Sequence, residues 1–237
     1  EVLAALDRRW RARYLLLAPH RLGFFLAMVV LVASALWWAL VQLDRVSVSV
    51  ALSYALSPTL VHAAAMTFGF MPLFFSGFLF TAGPKWLRVA PLEAPILRGH
   101  LLMQTGGWLL WLVGAHLHML VALFGLALAW SGLARITWLF GGLVGLSRET
   151  DRLHARVVAL ACVVGCISLG GLLVNLVVGA SDVALACVLT GLWGFVVVVF
   201  VTVVHRMLPF FTSDAVPFIH VLLPFWAPGL MLAVAVF

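Results

Sequence analysis

The feature that most limits what this chain can fold into is the return of long apolar runs, about seven of them, at roughly 22–42, 57–82, 97–115, 117–140, 156–178, 183–207 and 216–237. A helix needs about 20 mainly apolar residues to span a bilayer core. Hydrocarbon offers no partner to a free N–H or C=O, so spanning segments are helices or closed barrels, and runs this long exceed barrel strands. The sequence therefore predicts an all-α, polytopic transmembrane helix bundle. Composition agrees: 65% of the 237 residues are hydrophobic and 9% are charged, against roughly a quarter charged in a soluble domain. No polar stretch reaches domain size, so residues 1–237 read as a single transmembrane domain.

Lys and Arg gather on the cytoplasmic side of spanning helices. A cytoplasmic N-terminus places Arg8, Arg9, Arg11, Arg13 and Arg21 inside, then Lys85, Arg88 and Arg98, then Arg135, Arg148, Arg152 and Arg156, and finally Arg206; only Arg45 falls outside. One miscounted helix reverses every later loop, so this asymmetry supports both the count and the orientation. The net charge of +6 is thereby explained by topology, and no nucleic-acid partner is implied. Residues 1–21 read as a basic, amphipathic lead-in on the membrane surface. The last run reaches Phe237 without a polar exit, and the natural protein is expected to continue beyond it. Cys162, Cys166 and Cys187 lie in apolar runs without metal-site spacing and read as packing residues.

Eight histidines in so apolar a chain carry the chemical signal, because ionisable groups at membrane depth are costly and point to function. Depth sorts them into an outer layer of His62, His116 and His118 and an inner layer of His20, His100, His154, His205 and His220. Imidazole ligates haem iron and copper, and bundles build such sites from facing helices. His20, His62, His205 and His220 are the expected metal ligands, each a candidate axial ligand of a b-type haem. His205 and His220 flank RMLPFFTSDAVPF, whose prolines bound a short turn able to bring both rings to one inner pocket. His154, in RETDRLHARV, reads as a solvated interfacial histidine. His116 and His118 lie about 200° apart on a helix, so joint copper chelation requires a nonhelical connection. Gly69, Gly77, Gly106 and Gly107 either let a flat ring approach or let helices pack, and packing is the commoner use. Hydrolytic and nucleotide-binding motifs are absent. Asn175 and Asp182 are the polar candidates for a transport path, which ranks below cofactor binding.

Three blocks give the chain a family likeness. APHRLGFFLAMVVLVASALWWAL resembles an opening HPFRPFFL-type helix, with His20 in the place of its histidine. VHAAAMTFGFMPLFFSGFLFTAGPKW is similar to a HAHEMLFGF…GFLLTAVPNW block, and HRMLPFFT, residues 205–212, to a GRIIPxFT turn, matching at Arg206, Pro209, Phe211 and Thr212. Together they resemble the NnrS family of bacterial multi-pass haem proteins linked to nitric oxide and nitrosative stress. His62 holds the first histidine position of the second-helix motif, but Ala64 and Ala65 replace its second histidine and its glutamate, and His205 replaces a glycine of the turn. Copper is accordingly the cofactor this sequence supports least.

The resemblance implies a bacterial inner-membrane protein that binds b-type haem, with Arg206 among the cofactor-contacting residues, and acts in nitrogen-oxide metabolism. It also implies a longer relative of about twelve helices. Two alternatives stand beside it. One is a cofactor-free subunit packed against other membrane subunits of a respiratory or assembly complex; the other is a small-molecule transporter.

Overall fold

The computed structural model describes residues 12–47 and 51–215, together with isolated positions 226, 229, 230 and 233. Among the described residues all regular structure is helical. A short 3-10 turn, Ala12–Leu17, leads into α1, Pro19–Val46. Helix α2 is Pro58–Leu87, with a π-helical turn at Ala65–Phe70. Then follow α3, Ala94–Leu117, α4, Met119–Leu146, and α5, Leu153–Val177. The rod α6 is built from Ser181–Gly191, a second π-turn at Leu192–Val197, and Val198–Ala215. The expected seventh segment, 216–237, and residues 1–11 of the lead-in lie outside the described residues, the isolated positions aside.

Five helices, α1, α2, α4, α5 and α6, are long and apolar enough to cross a membrane. At 24 residues, α3 is about 36 Å long, but it carries Gln104, Thr105, Trp108 and Trp111, all buried. Its polar and aromatic groups face the bundle, while α1 and α5 turn Phe25, Leu36, Leu160 and Ile167 outward. Small polar residues such as Ser34, Thr67, Ser168 and Thr202 are buried among the apolar side chains of the interior. This is the distribution expected when apolar lipid surrounds the bundle and close packing, not water exclusion, holds the helices together.

Two prolines shape α2. Pro72 has no N–H to give the carbonyl one turn back, that of Phe68, and its ring crowds that carbonyl. The π-turn ends at Phe70, two residues before Pro72, and loosens this stretch. From α3, Gln104 Nε2 donates to the freed Phe68 oxygen at 3.3 Å. The second, Pro84, does not end the helix where the sequence suggested, near residue 82. The helix runs through it to Leu87 and stops at Arg88, whose left-handed backbone (φ 47°, ψ 45°) lets Val89 N–H cap the Pro84 carbonyl at 3.0 Å.

Glycine sets the tightest crossings. A Cβ on Gly23 of α1 would lie 2.6 Å from Gly77 Cα of α2, and a Cβ on Gly107 of α3 would lie 2.5 Å from the Ala129 nitrogen of α4. Consecutive helices run antiparallel, α3 and α4 being joined by the single extended residue His118. That alternation brings Lys85, Arg88, Arg98, Arg148, Arg152, Arg156 and Arg206 to the end where α1 begins, and leaves Arg45 at the opposite end. We refer to these as the basic end and the far end.

Candidate functional site

Histidines cluster at both ends of the bundle. At the basic end, His20 is the second residue of α1, opposite Thr81 of α2 just past the Gly23–Gly77 crossing. Thr81 Oγ1 donates its only hydrogen to the Gly77 carbonyl at 2.9 Å. Its contact with His20 Nδ1, 3.5 Å, is therefore one in which Nδ1–H donates. With Nδ1–H donating, the lone pair of a neutral His20 lies on Nε2. Phe24 lies beside the imidazole, 6.4 Å between centroids, and stacks obliquely on Phe74 at 4.9 Å.

The second basic-end group joins the start of α5 to α6. His154 Nε2 and His205 Nδ1 are 3.1 Å apart. Their rings are nearly coplanar, at 15° with centroids 5.4 Å apart, an edge-to-edge N–H···N arrangement. Arg206 Nη1 approaches His154 Nδ1 at 3.5 Å and pairs with Asp151 Oδ2 at 3.3 Å. Its guanidinium carbon lies 5.3 Å from the Trp86 ring centre. His205 is buried, and its Nε2 has no hydrogen-bond partner among the described residues.

At the far end, Arg45, Trp38 and His62 form a column. The guanidinium is 5.2 Å from the Trp38 ring, and Trp38 stacks on His62 at 4.6 Å with 14° between planes. His62 Nδ1 meets the buried Ser34 hydroxyl at 3.1 Å. Beside it, His116 Nε2 accepts from Trp37 Nε1 at 2.8 Å, so its Nδ1 carries the proton and donates to the Ser53 carbonyl at 2.9 Å. Both His116 nitrogens are thus committed to holding the connection before α2. Asp44 completes that anchorage, accepting from Leu52 N–H at 2.9 Å and Tyr54 O–H at 2.8 Å. Burial, and then donation to Asp44, pushes the Tyr54 hydroxyl above its ordinary pKa. His118 caps α4, its Nδ1 accepting from Leu120 N–H at 3.1 Å, so His116 and His118 do not converge.

A family model described as NnrS protein matches residues 14–237, most of the chain and every group just described. The chain belongs to the NnrS family. No curated protein and no solved structure matches it.

Among the residues singled out from sequence, His20 and His62 lie at opposite ends of the bundle, too far apart to serve one site. His220 lies outside the described residues, so its pairing with His205 does too. What His205 meets instead is His154, which had read as a solvated interfacial group and is half-buried. The signal was present in the topology: an antiparallel α5 and α6 brings the start of one beside the later part of the other. Gly69 packs on Trp108, Gly77 on α1 and Gly107 on α4, whereas a Cβ on Gly106 would meet nothing within 4 Å. Among the described residues no group of three or more His, Cys, Asp or Glu comes together to hold a metal ion. A b-type haem asks less of the protein, one imidazole lone pair and apolar walls, and His20 with Phe24 and Phe74 fits that need.

Proposed function

We propose that this chain is an NnrS-type inner-membrane protein that binds b-type haem and acts in nitric oxide or nitrogen-oxide metabolism. Family membership supplies the biology. The observation that carries the chemistry is the His20–Thr81–Gly77 chain. A ligating imidazole normally donates its second nitrogen to a fixed acceptor, which sets its tautomer and its orientation. Thr81 is such an acceptor, and its own proton is held by Gly77.

In this reading His20 would hold the haem through Nε2, Thr81 would fix the orientation of the imidazole, and Phe24 and Phe74 would wall the site against water. When bound, haem supplies a redox-active iron open to small diatomic ligands. His62 is the candidate for a second, separate site, with Trp38 covering one face of its ring. In the membrane, α3 is a further span, and the basic end, where α1 begins, faces the cytoplasm.

Full-length protein purified after expression with ample haem is expected to show a Soret band and sharpened visible bands on reduction. His20→Ala is expected to lose most of that absorbance while keeping its helical circular dichroism. A colourless wild-type protein would sink the haem reading and leave the cofactor-free subunit in its place; an unchanged spectrum in His20→Ala would move the ligand to another histidine.

A further inference from the structure

Helices α2, α4, α5 and α6 do not close completely on one another. Between them lies a cavity in which the centre of a water-sized molecule has about 10 Å³ to move. Every residue lining it is buried. Its walls include two edge-to-face aromatic pairs, Phe75 with Phe195 and Phe80 with Phe140, each with centroids 6.1 Å apart. Phe195 belongs to the π-turn of α6, and its ring is seated against Gly165 of α5, where an added Cβ would lie 2.5 Å from it. Pro72, just past the π-turn of α2, supplies another part of the wall. Both described π-turns therefore border this space, and such turns are frequent where a helix serves a function beyond packing.

The size suits one small molecule, and the lining decides against water. Three side chains in the wall carry a polar atom, and each is engaged or weak. Ser76 Oγ donates its hydrogen to the Pro72 carbonyl at 2.6 Å, and Thr137 Oγ1 is engaged with Cys166 Sγ at 3.2 Å. Cys162 offers only a thiol, a poor hydrogen-bonding group. A buried water needs about two to four polar partners, and a cavity that lacks them stays dry and takes apolar guests of its own size. The four surrounding helices are all long and apolar enough to span a bilayer. The cavity therefore lies beside a hydrocarbon phase, in which apolar gases dissolve better than in water.

We propose that this cavity is a binding site for one small apolar gas molecule, a diatomic of the size of dioxygen or nitric oxide. A diatomic needs no hydrogen-bond partner and regains the dispersion contacts that the facing aromatic and aliphatic walls lose across an empty space. Helix α2 presents Phe74 and Gly77 to α1 and, on its other side, Phe75 and Ser76 to the cavity, so the His20 group and the cavity share one wall helix. The gas site does not depend on ligation by His20.

The test uses the full chain, 13C-labelled at Ile and Leu methyl groups, in deuterated detergent under xenon, with helium at equal pressure as the control. The methyls of Leu79, Leu133 and Ile136, which line the cavity, are expected to shift with xenon pressure and to saturate. Those of Leu160 and Ile167, exposed on α5, sense only xenon dissolved in the micelle and are expected to shift linearly. Dioxygen in place of xenon is expected to broaden the cavity methyls through its paramagnetism, showing that a diatomic enters. Cys162→Leu fills the space and is expected to abolish the saturable response. Leu133→Ala enlarges it and is expected to lower the half-saturation pressure several-fold at Ile136. Linear shifts at every methyl, a saturable response that persists in folded Cys162→Leu, or cross-relaxation between the cavity methyls and water would overturn the proposal. Should Cys162→Leu not fold, Leu133→Ala decides, and an unchanged half-saturation pressure there counts against the cavity. A saturable response in colourless protein or in His20→Ala leaves this site standing where the haem reading fails.

Discussion

A carbonyl deprived of its helical donor has to find another, and Phe68 finds Gln104. The bond is 3.3 Å long and the glutamine is fully buried. Gln104→Leu leaves the Phe68 oxygen without that partner, at a cost of about 1–3 kcal/mol. Pro72→Ala supplies a new backbone N–H one turn on, so the same Gln104→Leu change is expected to cost much less in that background. Unfolding in mixed micelles of the two single variants and the double one reads the coupling directly; strictly additive losses would show that the proline is not what makes the glutamine necessary. Residue-level wiring of this kind was only partly legible. Pro72 and Gln104 are both visible in the sequence, but which helix answers which orphan depends on the α2–α3 register, which apolar periodicity leaves open. The same holds for His116: its spacing from His118 suggested at most a weak chelate, and only the Trp37 and Ser53 contacts show a ring with both nitrogens spent.

At the level of helices, stability rests on how closely backbones approach. The α1–α2 crossing admits no side chain at Gly23, where an added Cβ would sit 2.6 Å from the Gly77 backbone. Gly23→Val must push the helices apart and is expected to cost about 1–3 kcal/mol, as overpacking does. Gly106→Ala, meeting nothing within 4 Å, is expected to be neutral or to gain up to about 1 kcal/mol from helix propensity. Unfolding midpoints of the two variants check the contrast, and equal values would mean that this crossing is not close-packed. Because the crossing lies one turn from both His20 and Thr81, Gly23→Val tests the site as well as the fold. Helix existence was read correctly from length and apolarity at every described run. Helix ends were not: α2 continues through Pro84, since within a bilayer the broken backbone bond costs less when neighbouring helices enclose it. Neither π-turn leaves a periodic trace, because helices apolar on nearly every face carry no narrow stripe for an extra residue to shift.

For the whole molecule the decisive asymmetry is charge. Antiparallel alternation alone gathers Lys85, Arg88, Arg98, Arg148, Arg152, Arg156 and Arg206 at the end where α1 begins with Arg21 and leaves Arg45 at the other. Arg45 is held there by Trp38, so its position is part of the far-end column and does not contradict the pattern. Anionic cytoplasmic lipid and the membrane potential both favour retaining the basic end inside. Orientation can therefore be tested without reference to any cofactor. Ser57 is exposed before α2 and its side chain makes no capping bond, while Thr150 is exposed between α4 and α5. The native thiols Cys162, Cys166 and Cys187 are buried or half-buried within helices, so a thiol placed at either exposed position reacts first. In intact cells an impermeant maleimide is expected to label Ser57→Cys and to spare Thr150→Cys, which labels only after the membrane is opened. The reverse pattern would invert the molecule and put His20 and His205 on the outer face. Labelling of both from outside would break the alternation of helices on which every assignment of a residue to an end depends.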